Sequence, residues 1–337
     1  MTKAVFFGLS GLALTPEETA FFTAVKPAGF ILFGRNIETT DQVKALTQSL
    51  HALLGQARSP ILIDQEGGRV RRLRPPLAID HPPMLPFGQL YERDPAAAIE
   101  AARLHGLSIA AELSALGITV DCLPVLDLLF EETHDVIGDR AFSRSPACVS
   151  VLGRAVMDGL LEGGVVPVIK HIPGHGRAKA DSHLELPQVD ASFEDLAAND
   201  FQPFMALADA PMAMTAHILY SALDVEACAT HSKAIVSGII RAHVGFDGLL
   251  MTDDLSMKAL GGSMGERATR AIDAGCDIIL HCNGDMAEMQ AVADATPELS
   301  GRAAERLAAA MAAPQSDNPL SAQAAADARE HHLKALA

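Results

Sequence analysis

The chain has 337 residues, 49% of them apolar, and 42 acidic against 26 basic side chains give a formal net charge of −16. That balance leaves no basic footprint for nucleic acid or an anionic membrane, and with no Trp and two Tyr there is no aromatic platform for stacking bases. The five cysteines, Cys122, Cys148, Cys228, Cys276 and Cys282, are odd in number and form no CxxC pair, which points to reduced thiols rather than a disulfide framework or a zinc ribbon.

The first element is an apolar run, AVFFGLSGLAL, from Ala4 to Leu14. It has the look of a signal-peptide core. However, TPEETAFF follows, a capped acidic helix start rather than a small-residue cleavage site, so the run reads as a buried first strand. No apolar stretch approaches the roughly 20 residues of a membrane span, and a cytoplasmic protein is expected. Further short apolar runs follow: GFILFG (29–34), PILIDQ (60–65), ITVDCLPVLD (118–127), VVPVIKH (165–171), PMAMTAH (211–217), GLLMTDD (248–254) and DIILHC (277–282).

Between these runs lie helical stretches with start signals. Thr40 precedes DQVKALTQSLHALL, Asp94-Pro95 precedes a long Ala-rich segment, and Ser192 stands three before Asp195. Gly117 and Gly275 sit where helix ends are expected. Apolar strands alternating with helices imply parallel βαβ units buried on both faces. Eight of them predict a single (β/α)8 TIM-type barrel over residues 1–312, with catalytic loops at the C-terminal strand ends. No GxGxxG follows the first strand, which disfavours a doubly wound sheet. The Pro-rich stretch 71–94 reads as an excursion over the barrel mouth, and 313–337 as an Ala-rich tail, a peripheral helix or a loose end.

Polar residues recur where the strands end: Asp64, Asp127, Lys170 with His171, His217, Asp253 with Asp254, and His281. On a barrel they would converge on one pocket. DQEGGRVRRLR (64–74) adds glycines for a tight turn and arginine forks for carboxylates or vicinal hydroxyls. In MTDDLSM (251–257), Asp254 is expected as a helix N-cap, which leaves Asp253 to point into the pocket. KHIPGHGRAKADSHLELP (170–187) holds three histidines with Asp181. On the residues alone it is equally a metal site, an Asp181–His183 proton-transfer pair, or a structural loop.

Together KHIPGHG(x4)DSH at 170–183, DQEGGRV at 64–70, IGDR at 137–140, AHI at 216–218 and GFDGLLMTDDLSM at 245–257 resemble family 3 glycoside hydrolases. The resemblance is closest to the single-domain bacterial β-N-acetylhexosaminidases of the NagZ type. It implies retaining hydrolysis of terminal β-linked GlcNAc, from muropeptides in peptidoglycan recycling, through a covalent glycosyl-enzyme. It further implies Asp253 as nucleophile, His183 as proton donor and acceptor, and Asp181 as the residue that orients and polarises it. Asp64, Arg72, Arg140, Lys170 and His171 correspond to contacts with the sugar. No cofactor and no bound metal are implied, and a monomer acting on a small-molecule substrate is expected. Departures from the family pattern are Ile172 for Phe, Asp139 for Glu and Thr252 for Ser, none at a catalytic position. The segment Gly174–Lys179 reads as a hinge on which the loop carrying His183 swings.

Overall fold

The computed structural model describes residues 1–56, 58–130, 137–178, 185–314 and 320–334. Its frame is a closed barrel of eight parallel strands in the order β1-β8-β7-β6-β5-β4-β3-β2. They are β1 (Lys3–Gly8), β2 (Pro27–Leu32), β3 (Ile61–Ile63), β4 (Val120–Asp121), β5 (Val166–Ile172), β6 (Met212–Thr215), β7 (Leu249–Asp254) and β8 (Ile278–His281). Each predicted apolar run supplies one strand. The runs are apolar throughout because both faces are covered. Phe6, Ile31, Leu62, Val120, Val168, Met212, Leu249 and Ile278 fill the barrel interior. Their neighbours Phe7, Phe30, Ile61, Ile63, Ile169, Ala213, Leu250 and Ile279 pack outward under the helices.

The helix starts follow the capping chemistry. Thr15 and Glu18 form a capping box at Pro16–Val25, Asp94 caps Pro95–Ala115 and Ser192 caps the turn beginning at Phe193. At Thr40–Leu54 the cap is Thr39, one residue before the expected Thr40, with its hydroxyl accepting from Gln42 N. The N-terminal mouth of the barrel is closed by Gly301–Ala312. Ala310 joins the interior cluster there, and Leu299, Leu307 and Met311 pack against it. Arg306 fastens this helix to Asp247 and Asp277, which precede β7 and β8, at 2.5 and 2.9 Å. A last helix, Ala322–Leu333, buries Ala325, Ala326 and Arg329. Among the described residues no helix is long and apolar enough to cross a membrane.

The helices Pro95–Ala115 and Pro146–Glu162 approach closely because both carry glycine at the contact. A Cβ on Gly159 would come 2.0 Å from the Arg103 carbonyl oxygen, and one on Gly106 would come 2.2 Å from that of Val156. Gly159→Ala therefore forces the helices apart and should destabilise the protein by about 1–3 kcal/mol. In a urea titration this appears as a lower midpoint at unchanged slope; an unchanged midpoint would show that the contact has slack.

Candidate active site

The C-terminal mouth of the barrel holds a row of buried charges. After β3 the chain passes Asp64 and turns through Gln65–Gly67, which pairs antiparallel with Val70–Arg71. That hairpin brings Arg72 back onto Asp64, Nη2 to Oδ2 2.7 Å. From the end of β5, Lys170 Nζ lies 2.9 Å from Asp64 Oδ1 and 2.6 Å from Glu66 Oε1. Arg140, in the turn Gly138–Arg140, forks onto Glu66 with both contacts at 2.8 Å. Arg72, Asp64, Lys170, Glu66 and Arg140 thus alternate in sign along one line.

Alternation is what makes the burial tolerable, since a lone buried charge costs several kcal/mol. Burial pushes the Asp64 carboxyl up, but Lys170 and Arg72 outweigh it and hold it below the ordinary carboxylate range. Burial acts likewise on Glu66, and Arg140 with Lys170 brings it down to about 2. Lys170 is held above its ordinary value: burial lowers it, and Asp64 and Glu66 more than compensate. Asp64, Glu66, Lys170 and Arg140 are therefore ionised at neutral pH.

A second carboxylate organises the histidines. Asp127 is fully buried. Its Oδ2 accepts from His171 Nδ1 at 2.7 Å, and its Oδ1 accepts from the backbone N of His171 and of His175 at 3.2 and 2.6 Å. His171 therefore presents its Nε2 edge to the cavity. Burial raises Asp127, and His171 and His175 outweigh it, giving about 2. Burial and the neighbouring His171 pull His175 down to about 4, so this imidazole is neutral at pH 7.

At the end of β7, Asp253 Oδ1 accepts from Asp254 N at 2.8 Å. Asp254 does not cap a helix as expected; that role falls to Ser263, ahead of Met264–Ala274. Asp254 instead accepts from Ser256 N, Ser256 Oγ and Cys282 N at 3.0, 2.5 and 3.1 Å, tying the tips of β7 and β8 together. His217 bridges the Thr230 hydroxyl (Nδ1, 2.7 Å) and the Asp254 carbonyl (Nε2, 3.1 Å). Burial lowers its pKa, so it stands as the neutral Nε2–H tautomer.

These groups enclose a cavity of about 230 Å3. Its polar lining comprises Asp64, Glu66, Arg72, Arg140, Lys170, His171, His175, Asp253 and Asp254, against apolar Ile31, Phe33, Met214, Met257 and Leu280. Arg72 stacks on Phe33 at 5.0 Å from the ring centroid. So small and polar a space suits one ring rich in hydroxyls, being below the usual size of drug-like pockets.

Of the residues singled out from sequence, Asp64, Arg72, Arg140, Lys170, His171 and Asp253 all line this cavity. Asp181 and His183 fall in 179–184, outside the described residues. His281 does not join: its Nε2 meets Glu288 at 3.1 Å and its ring stands edge-on to Phe7 in the outer layer. Glu66 was not expected in the site and His175 only as a possible metal ligand or structural loop member, while Asp127 and His217, expected at the pocket with the other strand ends, are not among the residues that line it. Glu66 was readable as a carboxylate beside two glycines, but it lies two residues past Asp64 and so outside the apolar run that marked the strand end.

Of the predicted hinge Gly174–Lys179, the part up to Ala178 is described, and it makes contacts with distant residues. Gly174 accepts the Tyr220 hydroxyl on its carbonyl at 2.6 Å and donates to His171 O at 2.8 Å. Arg177 pairs with buried Asp200 at 2.8 Å and lies 4.4 Å from the centroid of Phe130. Lys179 and the residues up to 184 lie outside the described residues. Among the described residues, no His, Cys, Asp and Glu side chains are gathered in a group that would hold a metal ion.

Glu66 and Asp127 have folded-state pKa values near 2, below ordinary values of 4.5 and 3.8. Their stabilisation is full above those ordinary values and is lost as pH falls toward about 2; each contributes on the order of 2 kcal/mol. Denaturation midpoints at pH 6 and pH 3 should therefore differ strongly in the native chain and less in Glu66→Gln. Equal differences in the two proteins would contradict the charge row.

Comparisons with known proteins agree with the geometry. The family described as "Glycosyl hydrolase family 3 N terminal domain" matches residues 10–312. A protein named Beta-hexosaminidase from Aromatoleum aromaticum is 38% identical over 322 residues, covering 94% of this chain and 89% of its own length. The native crystal structure of NagZ from Neisseria gonorrhoeae is similar at 34% identity and TM-score 0.85, covering 100% of this chain and 98% of its own. Its complex with N-trifluoroacetyl-D-glucosamine matches at 33% identity and TM-score 0.87, with the same coverage. With its barrel, its buried polar cavity and these relatives, the chain belongs to glycosyl hydrolase family 3.

Proposed function

We propose that this family 3 hydrolase is a retaining β-N-acetylglucosaminidase. It removes terminal non-reducing β-linked GlcNAc from GlcNAc-1,6-anhydroMurNAc peptides during peptidoglycan recycling in the cytoplasm. The observation that carries the reading is that Asp253 shares one small cavity with Asp64, Arg72, Arg140, Lys170 and His171. The names of its relatives, and the amino sugar held by one of them, support the substrate class.

In this reading the ionised Asp64 accepts hydrogen bonds from sugar hydroxyls, while Lys170 and Arg140 donate to them. The Asp253 carboxylate attacks the anomeric carbon. The bond to the leaving group breaks as its oxygen takes a proton from the His183 imidazolium, which Asp181 stabilises. The now neutral His183 takes a proton from water. The resulting hydroxide equivalent attacks the same carbon and frees Asp253, so two inversions leave the configuration retained. An imidazole suits both half-reactions because its ordinary pKa lies near neutrality.

Hydrolysis of a chromogenic β-GlcNAc glycoside tests these roles. Asp253→Ala and His183→Ala should each lose roughly 10^2–10^4-fold or more in kcat/KM. Near-wild-type turnover by the Asp253 variant would overturn the mechanism.

A further inference from the structure

The last helix, Ala322–Leu333, lies beyond the residues matched by the family, yet one of its side chains reaches the back of the site. Arg329 is 1% exposed. Its Nη1 lies 2.7 Å from His81 Nδ1 and 3.4 Å from His105 Nδ1. Its Nε and Nη2 meet Glu330 Oε1 at 3.2 and 3.0 Å. A guanidinium only donates, so both imidazoles must accept at Nδ1 and carry their protons on Nε2. From those positions His81 donates to Glu112 Oε2 at 2.8 Å and His105 donates to the backbone carbonyl of Glu66 at 2.9 Å. Burial first, and then Arg329, hold His105 well below its ordinary pKa, consistent with this tautomer.

The same cluster supports the next two residues of the turn. Gly68 N donates to His81 O at 2.8 Å. Gly67 has φ +107°, and a Cβ there would stand 2.2 Å from Pro82 O. Residues 66–68 thus rest on 81–82 and on His105, and both supports converge on Arg329. The Glu66 carboxylate, on the other side of this turn, grips Lys170 and Arg140. For filling space alone, an apolar side chain would avoid the cost of desolvating a guanidinium. What the guanidinium adds is one terminal nitrogen whose two N–H groups fix two imidazole tautomers at once.

We infer that Arg329 is a positioning residue for sugar binding, setting Glu66, and through it Lys170 and Arg140, by way of His105 and His81. The inference rests on the reading above that Lys170 and Arg140 hold the sugar. Those contacts exist in ground and transition states alike, so their disturbance falls on KM rather than kcat.

The test uses the full chain. Arg329→Met should raise KM for the chromogenic β-GlcNAc glycoside roughly tenfold or more, since small misplacements are costly, with kcat within about threefold. Amide hydrogen exchange across 64–72 should quicken in the same variant. Arg329→Lys, which retains a donor toward His81, should recover part of both effects. Val292→Ala, which opens a cavity in the separate helix Met286–Ala295, should leave KM unchanged at a temperature where it is folded. An unchanged KM and unchanged exchange over 64–72 in Arg329→Met would overturn the inference. Should Arg329→Met not fold, His105→Leu and His105→Gln decide it. Only Gln keeps a donor for the Glu66 carbonyl, so a larger rise in KM for Leu supports the inference and equal rises overturn it. Should the wild type not cleave β-GlcNAc, the proposed function fails, while the exchange measurement still decides whether Arg329 sets the turn.

Discussion

The site depends on one ammonium group. Lys170 Nζ is buried at the tip of β5 between Asp64 and Glu66, and neither carboxylate would stay ionised there without it and the two flanking arginines. Because each charge is needed by the next, the row is fixed in geometry before any ligand arrives. Hydrogen-bonding groups already ordered and already desolvated lose little on meeting a sugar hydroxyl, which is the physical content of preorganisation. The same rigidity extends to the histidine side, where Asp127 holds His171 and the start of the following loop through three hydrogen bonds.

The start of the loop after β5 is tied down by similar long-range contacts. Glycine-rich sequence after Ile172 suggested a hinge, but composition cannot register what a segment packs against. The Tyr220 hydroxyl, Asp200 and Phe130 come from distant parts of the chain and contact Gly174 and Arg177. In the proposed mechanism the loop carrying His183 gains from well-defined contacts at its start. The terminal helix follows the same logic from the opposite side: Arg329 presses the Glu66 turn into place from behind the barrel wall.

The barrel was legible in the sequence because its strands are buried on both faces and so stand out as short continuous apolar runs between capped helices. Strand ends were legible too, since Asp64, Lys170, His171 and Asp253 interrupt those runs at the C-terminal side. What sequence could not separate was direction. His281 ends a strand like the others yet turns outward to Glu288, and Asp254 caps a turn and the β8 tip rather than a helix. Glu66 escaped notice because its importance lies in what it touches, Arg140 74 positions away and Lys170 on another strand. Arg329 escaped for the same reason, set in an Ala-rich segment with no signal of its own.

The central claim is a covalent glycosyl-enzyme on Asp253 that His183 helps to form and to hydrolyse. It is tested most directly by intact-mass measurement of His183→Ala during turnover of a substrate whose leaving group needs no protonation. With water activation impaired, the account predicts a protein heavier by one N-acetylglucosaminyl unit, mapped by digestion to the peptide containing Asp253. Continued release of the leaving group with no adduct, or an adduct on another residue, would contradict it.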